Sequence, residues 1–171
     1  RVLELGAQTY SVGAGTIRDI QRQFEDAGMR TEAQALEKFR SVPAAKKPRD
    51  PAVPHMREFF SALGFSAYAA IDISDYGDTK IMDLNTLIRD SYGFTETYDL
   101  VTNIGVSEHI INQKVFFENL HNVTAVGGYM LHVLPSIGFA NHGFFNFQPR
   151  LFQDLAAANG YELEALFFAD R

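Results

Sequence analysis

The residues that could do chemistry in this chain stand where short apolar runs stop. Val2, Leu3 and Leu5 form such a run, ending at Gly6, and Glu4 lies inside it. A carboxylate there is costly unless it reaches a partner at the strand's edge, which makes Glu4 a candidate for meeting a cationic or hydroxyl-bearing ligand. Asp72 sits inside the end of Ala70-Ile71-Asp72-Ile73-Ser74. A carboxylate so placed can accept hydrogen bonds from both hydroxyls of a ribose, or it can cap a turn. Asp83 follows Lys80-Ile81-Met82, where helix N-capping is one of its readings. His109 is the candidate general base, because imidazole titrates near neutrality. Its other reading is a structural histidine that bonds the helix it starts.

Asn141-His142-Gly143-Phe144-Phe145-Asn146-Phe147-Gln148 is the second unusual segment. As a loop over a crevice, its aromatic rings and few polar groups could build a ligand pocket, with Asn141, Phe144 and Asn146 on the substrate and His142 beside His109 in catalysis. Alternatively the rings pack under the sheet edge and His142 only caps. No metal site is expected. The chain has no cysteine and no His-x-His or His-x-x-x-His pair, and His55, His121 and His132 have no companions at ligand spacing. Gly-x-Ser-x-Gly and Walker-type loops are also missing, which argues against hydrolase and nucleoside-triphosphatase chemistry.

Alternating strands and helices must position these groups. Residues 2–5 read as the first strand, and Gly6 lets backbone approach a ligand closely. Thr16 is the expected N-cap of a helix over 17–27 that Gly28 ends, and Thr31 opens a second helix to about Arg40. A connector over 42–54 holds Pro43, Pro48, Pro51 and Pro54 around Lys46, Lys47 and Arg49. Four prolines rule out regular structure there, and a solvated loop is the simplest reading of its charge. A third helix, Met56 to Leu63, stops at Gly64. Strands follow at 67–73, 80–82 and 98–103, with helices over Leu84–Tyr92 and Gln113–Val123. Gly127-Gly128 is read as a turn into a strand over Tyr129–Leu134, then come a helix over Pro149–Asn159 capped by Gly160 and a last strand over Glu162–Phe168.

This order predicts an α/β fold with a doubly wound, mostly parallel Rossmann-like sheet. Asp72 lies 66 residues after Gly6, so residues 13–54 are read as an additional helical insertion between the first two strands, able to form a lid. The 171 residues are read as a single domain with a real core, excised from a longer protein because the chain opens on a strand without an initiator methionine. A net charge of −6 speaks against bulk binding to nucleic-acid backbone or anionic membrane. No apolar run has the length of a membrane span, and a cytoplasmic location is expected.

Val2-Leu3-Glu4-Leu5-Gly6-Ala7-Gln8 resembles the first motif of class I S-adenosylmethionine-dependent methyltransferases, apolar-Leu-Glu/Asp-Leu-Gly-x-Gly, with Gln8 in place of the second glycine. Tyr98-Asp99-Leu100-Val101 resembles that family's fourth-strand motif, and Val106-Ser107-Glu108-His109 its apolar-x-Glu-His stretch. Gly127-Gly128 resembles its Pro-Gly-Gly turn, with Val126 for the proline. The resemblance runs in order from Val2 to about Leu134. It implies S-adenosylmethionine as cofactor and a small-molecule methyl acceptor. It also implies that Glu4 and Gln8 lie near the cofactor's methionine end, Asp72 on its ribose and Asp83 on its adenine, with Asn103, Ile104 and Gly105 facing the methionine part. Gln8 could contact the cofactor's carboxylate or block the pocket. The rival readings are a non-catalytic interaction domain and a nicotinamide-dependent oxidoreductase. The latter is weakened because Gly13-Ala14-Gly15 lacks the third glycine and follows no strand.

Overall fold

Strand β1, Val2–Leu5, is buried at every position and pairs on both sides, which is why it reads as an almost unbroken apolar run. The computed structural model describes residues 1–42, 54–76 and 79–168 of the chain. The remaining strands are β2 (Tyr68–Asp72), β3 (Thr79–Ile81), β4 (Tyr98–Ile104) and β5 (Thr124–Val133). They form one sheet in the order β3-β2-β1-β4-β5, with every pairing parallel. Connections from β1 run outward to β2 and β3, then return to the other side for β4 and β5. The order therefore reverses between β1 and β4, and in such sheets ligands bind in the crevice outside the carboxyl ends at that reversal.

Side chains alternate across each strand and so divide the core in two. Val2, Tyr68 and Ala70 face a layer made by α1 (Ala14–Asp26), α2 (Arg30–Ala35), a 3-10 turn at Glu37–Phe39 and α3 (Met56–Ala62). Tyr10, Phe39 and Phe59 meet there with ring centroids 5.4 Å apart. Leu3, Leu5, Ile71 and Val101 face α4 (Ile88–Tyr92) and α5 (Gln113–Val123) through Ile88, Phe116, Leu120 and Val123. The last helix, α6 (Pro149–Asn159), brings Phe152 against His132 and Phe147. On the other face of β5, Tyr129, Leu131 and Val133 are exposed. Among the described residues no helix is long and apolar enough to cross a membrane.

Several boundaries depart from the pattern in the sequence. Helix α1 begins at Ala14, because Gly13 is extended and its carbonyl accepts the Ile17 N–H; Thr16 lies inside the first turn instead of capping it. The segment after Thr31 is split into α2 and the 3-10 turn. Helix α4 starts four residues later than its apolar pattern suggests, since Leu87 is extended and Asn119 on α5 holds the preceding turn. Its Oδ1 accepts the Ile88 N–H, and its amide donates to the Thr86 carbonyl.

Gly127-Gly128 is part of β5, at an irregularity where the register with β4 shifts between Tyr98 and Leu100. A Cβ on Gly128 would stand 2.9 Å from the Ala125 carbonyl and 3.0 Å from that of Asp99, so backbone fills the space a side chain needs. The expected strand over Glu162–Phe168 does not form. Alternation alone makes no ladder, and β5 pairs only with β4 among the described residues, leaving Leu163, Leu166, Phe167 and Phe168 exposed. Of the Pro-rich connector, Pro43, Lys46, Lys47, Pro48, Arg49 and Pro51 lie outside the described residues.

Candidate functional site

The carboxyl ends of β1, β2 and β4 meet in a network of backbone and side-chain bonds. Gly6 leaves β1 with φ +78°, a conformation costly for any residue with a Cβ, and its N–H donates to the Ile71 carbonyl. A Cβ there would lie 2.2 Å from Cγ2 of Val106. The glycine thus lets the loop after β4 pack against the loop after β1. Gln8 spans the same gap: its amide nitrogen donates to the Ile104 carbonyl at 2.8 Å and to that of Gly6 at 3.3 Å.

Asp72 closes the loop from the β2 side. Its Oδ2 accepts the Ala7 N–H and its Oδ1 the Ser74 N–H, each at 3.0 Å. An ionised carboxylate offers about four acceptor sites, so each oxygen retains one for a hydroxyl. Glu4 is 0% exposed, and its Oε2 accepts the Tyr68 hydroxyl at 2.6 Å, so the partner it needs comes from β2. Asp83, after β3, caps no helix. Its Oδ1 accepts both the backbone N–H and the side-chain amide of Asn85 at 2.9 Å, and Asn85 in turn accepts the N–H groups of Ile111 and Asn112.

Asn103 is buried and turned inward. Its amide donates to the Ser107 hydroxyl and approaches Nδ1 of His132 at 3.1 Å, while its Oδ1 accepts the Ser107 N–H. These bonds shape the turn Ile104–Ser107, in which Gly105 has φ +64°. The turn leads into a 3-10 segment, Ser107–His109. Glu108 is wholly buried, with His109 and His142 beside it, both about half exposed. Oε1 of Glu108 lies 3.4 Å from Nε2 of His142 and 4.0 Å from Nε2 of His109, and the two rings meet edge to face at 5.2 Å.

The loop after β5 is clamped onto this turn. Phe144 and Phe145 both donate their N–H to the Glu108 carbonyl, at 2.7 and 3.3 Å. A Cβ on Gly143 would stand 2.9 Å from both Cγ and the carbonyl oxygen of Glu108, so only glycine allows that approach. Asn141 adopts φ +61°, and Asn141, Phe144 and Asn146 are exposed. Phe147 takes the packing role, buried against Phe117 and Phe152.

Two groups of residues emerge. Gly6, Gln8, Asp72 and Ile104 are joined at the ends of the central strands. His109 and His142 are joined over the ends of β4 and β5, around an acid that residue spacing did not single out. The signal for Glu108 was its place beside His109 just past a strand end, but its partner lies 33 residues beyond His109 and spacing rules look only a few residues away. Searches of protein-family models, curated proteins and solved structures return no match to this chain.

Proposed function

We propose that this domain binds S-adenosylmethionine along the carboxyl edge of its sheet and serves methyl transfer to a small-molecule acceptor. The observation that carries the reading is the Asp72 carboxylate, fixed by two backbone N–H groups one strand from the reversal of strand order and still able to accept two more hydrogen bonds. That suits the vicinal hydroxyls of a ribose. The resemblance in the first motif and the Val106–His109 stretch supports the choice of cofactor. In this reading Asp83 serves the adenine end, Asn103 shapes the turn that offers Ile104 and Gly105, and Glu4 and Gln8 set the methionine end.

The cofactor, when bound, supplies an electrophilic methyl group. This chain's own residues hold and orient the reactants and take up a proton. His109 and His142 present imidazoles beside Glu108, groups that accept a proton from an acceptor hydroxyl or amine. Asn141, Phe144 and Asn146, exposed on the adjoining loop, are assigned to the acceptor. The helices between β1 and β2 pack on a face of the sheet through Ile17, Leu36, Phe39 and Phe59, so the part of a cover is assigned to the loop 7–13, which leaves the carboxyl end of β1.

The test is calorimetric titration with S-adenosylhomocysteine. One-to-one binding to the wild type, lost in Asp72→Ala while that variant still melts cooperatively, is the expected result. NADH should give no heat. A second reading, a non-catalytic interaction domain, draws on Gln8, whose amide already bonds both loop carbonyls at the crevice. A cooperatively folded wild type with no affinity for S-adenosylhomocysteine would favour it.

A further inference from the structure

We infer that Glu108, His109 and His142 bind a divalent transition-metal cation between the loops that follow β4 and β5. One ligand atom from each lies within 4.8 Å of the other two. Ligands about 2.1 Å from one ion stand about 3.0 to 3.5 Å apart at octahedral or tetrahedral angles. The 3.4 Å between Glu108 and His142 meets that already, and the 4.0 Å to His109 needs a closure of about half an ångström. Both imidazoles are half exposed, so ring rotation can supply it.

The buried carboxylate is the independent sign of a cation. Glu108 is 0% exposed, and among the described residues no donor hydrogen-bonds to either of its oxygens. A carboxylate stripped of water costs several kcal/mol unless positive charge and directed bonds replace the solvent. Nε2 of His142 and Nε2 of His109 approach Oε1 at 3.4 and 4.0 Å. The surrounding chain fixes the carboxylate where it is: Asn103 holds the turn before it, and Phe144 and Phe145 pin the His142 loop to its carbonyl. Such supporting bonds set the direction of a ligand set before the ion arrives.

Two imidazoles and one carboxylate suit Zn2+, Mn2+ or Fe2+ and leave at least one coordination position for an oxygen of water or of a second ligand. The site does not depend on the methyltransferase reading, since Asp72 and Asp83 belong to other strands of the sheet. Where both hold, the imidazoles are committed as ligands, and acidification of an acceptor hydroxyl passes from His109 to the cation.

The test uses the whole chain, stripped with a chelator and titrated by calorimetry with Zn2+ and separately with Mn2+, without any adenosyl compound. Expected is one ion per chain for at least one metal, with affinity lowered about tenfold or more in His142→Ala and His109→Ala and unchanged in His121→Ala, a histidine on α5. Thermal melts verify that the variants fold. The same ion should raise the melting temperature of the wild type but not of His142→Ala. Glu108→Gln, close in shape to the native residue, should also lose the ion. Failure of both metals to bind one-to-one, or wild-type affinity in both histidine variants, overturns the proposal and leaves a Glu108–histidinium ion pair as the role of the cluster. Separate titration of the metal-free protein with S-adenosylhomocysteine keeps the fate of this site distinct from that of the cofactor site.

Discussion

Oδ2 of Asp72 accepts the Ala7 N–H at 3.0 Å, so the acid ending β2 also closes the loop that leaves β1. One carboxylate thus serves both the frame of the crevice and the ligand proposed for it. Asp72→Ala should lose about 1 to 2 kcal/mol in urea unfolding, because Ala7 and Ser74 then depend on water for their bonds. Asp72→Asn retains one acceptor oxygen and should lose less stability. It should nevertheless weaken S-adenosylhomocysteine binding markedly, as an amide cannot accept from both sides.

Gly6→Ala should destabilise the fold by about 2 to 4 kcal/mol, combining the strain of a Cβ at φ +78° with a collision against Val106. Only the collision can be relieved elsewhere. In the double variant Gly6→Ala, Val106→Ala the loss should be smaller than the sum of the two single losses. A double-mutant cycle in urea measures that difference.

Gln8 ties the loops after β1 and β4 by donating to a carbonyl in each. Replacement by alanine should cost about 1 kcal/mol. Replacement by glutamate should cost more, because a charged acceptor then faces two acceptors. The ranking of the two variants in chemical unfolding checks the direction of the bonds. Were the side chain merely filling space, glutamate would be the milder change.

His132 makes stability depend on pH. Burial beside Phe117 and Phe152 lowers its pKa from 6.5 to about 4. Accepting from Asn103 at Nδ1 leaves its single proton on Nε2. Between pH 6.5 and 4 the unfolded chain takes up a proton that the native chain refuses. The contribution is therefore fully present above about pH 6.5 and is lost as the pH falls toward 4, on the order of 3 kcal/mol in total. Unfolding titrations across this range should show a flatter profile for His132→Gln, which keeps an acceptor without a titrating ring.

The parts of the fold legible in the sequence were those with local causes. Helices α5 and α6 follow from apolar spacing, with Pro149 and Gly160 at the ends of the latter. Strand β1 follows from an apolar run closed by a glycine. What the sequence hid depends on distant partners. The α4 boundary is set by Asn119, the Gly127-Gly128 irregularity by β4, and the absence of a strand over Glu162–Phe168 by the lack of a ladder to join. In the site, the strand-end positions of Gly6 and Asp72 were readable. The inward turn of Asn103 and the meeting of Glu108 with His142 were not, because the first depends in part on His132 of the adjoining strand and the second on the loop after β5.

The place of β1 at the centre of the sheet has a consequence for how the chain acquires its structure. Val2 pairs with Tyr68 and with Leu100, which are made 66 and 98 residues later. During synthesis β1 thus emerges before the other four strands and waits until β4 is made to have both neighbours. Closing such long loops must precede any gain from the contacts they allow, which slows folding in parallel sheets. The interval leaves Val2, Leu3 and Leu5 open to improper association, so refolding yield should fall with protein concentration well before native stability is in question.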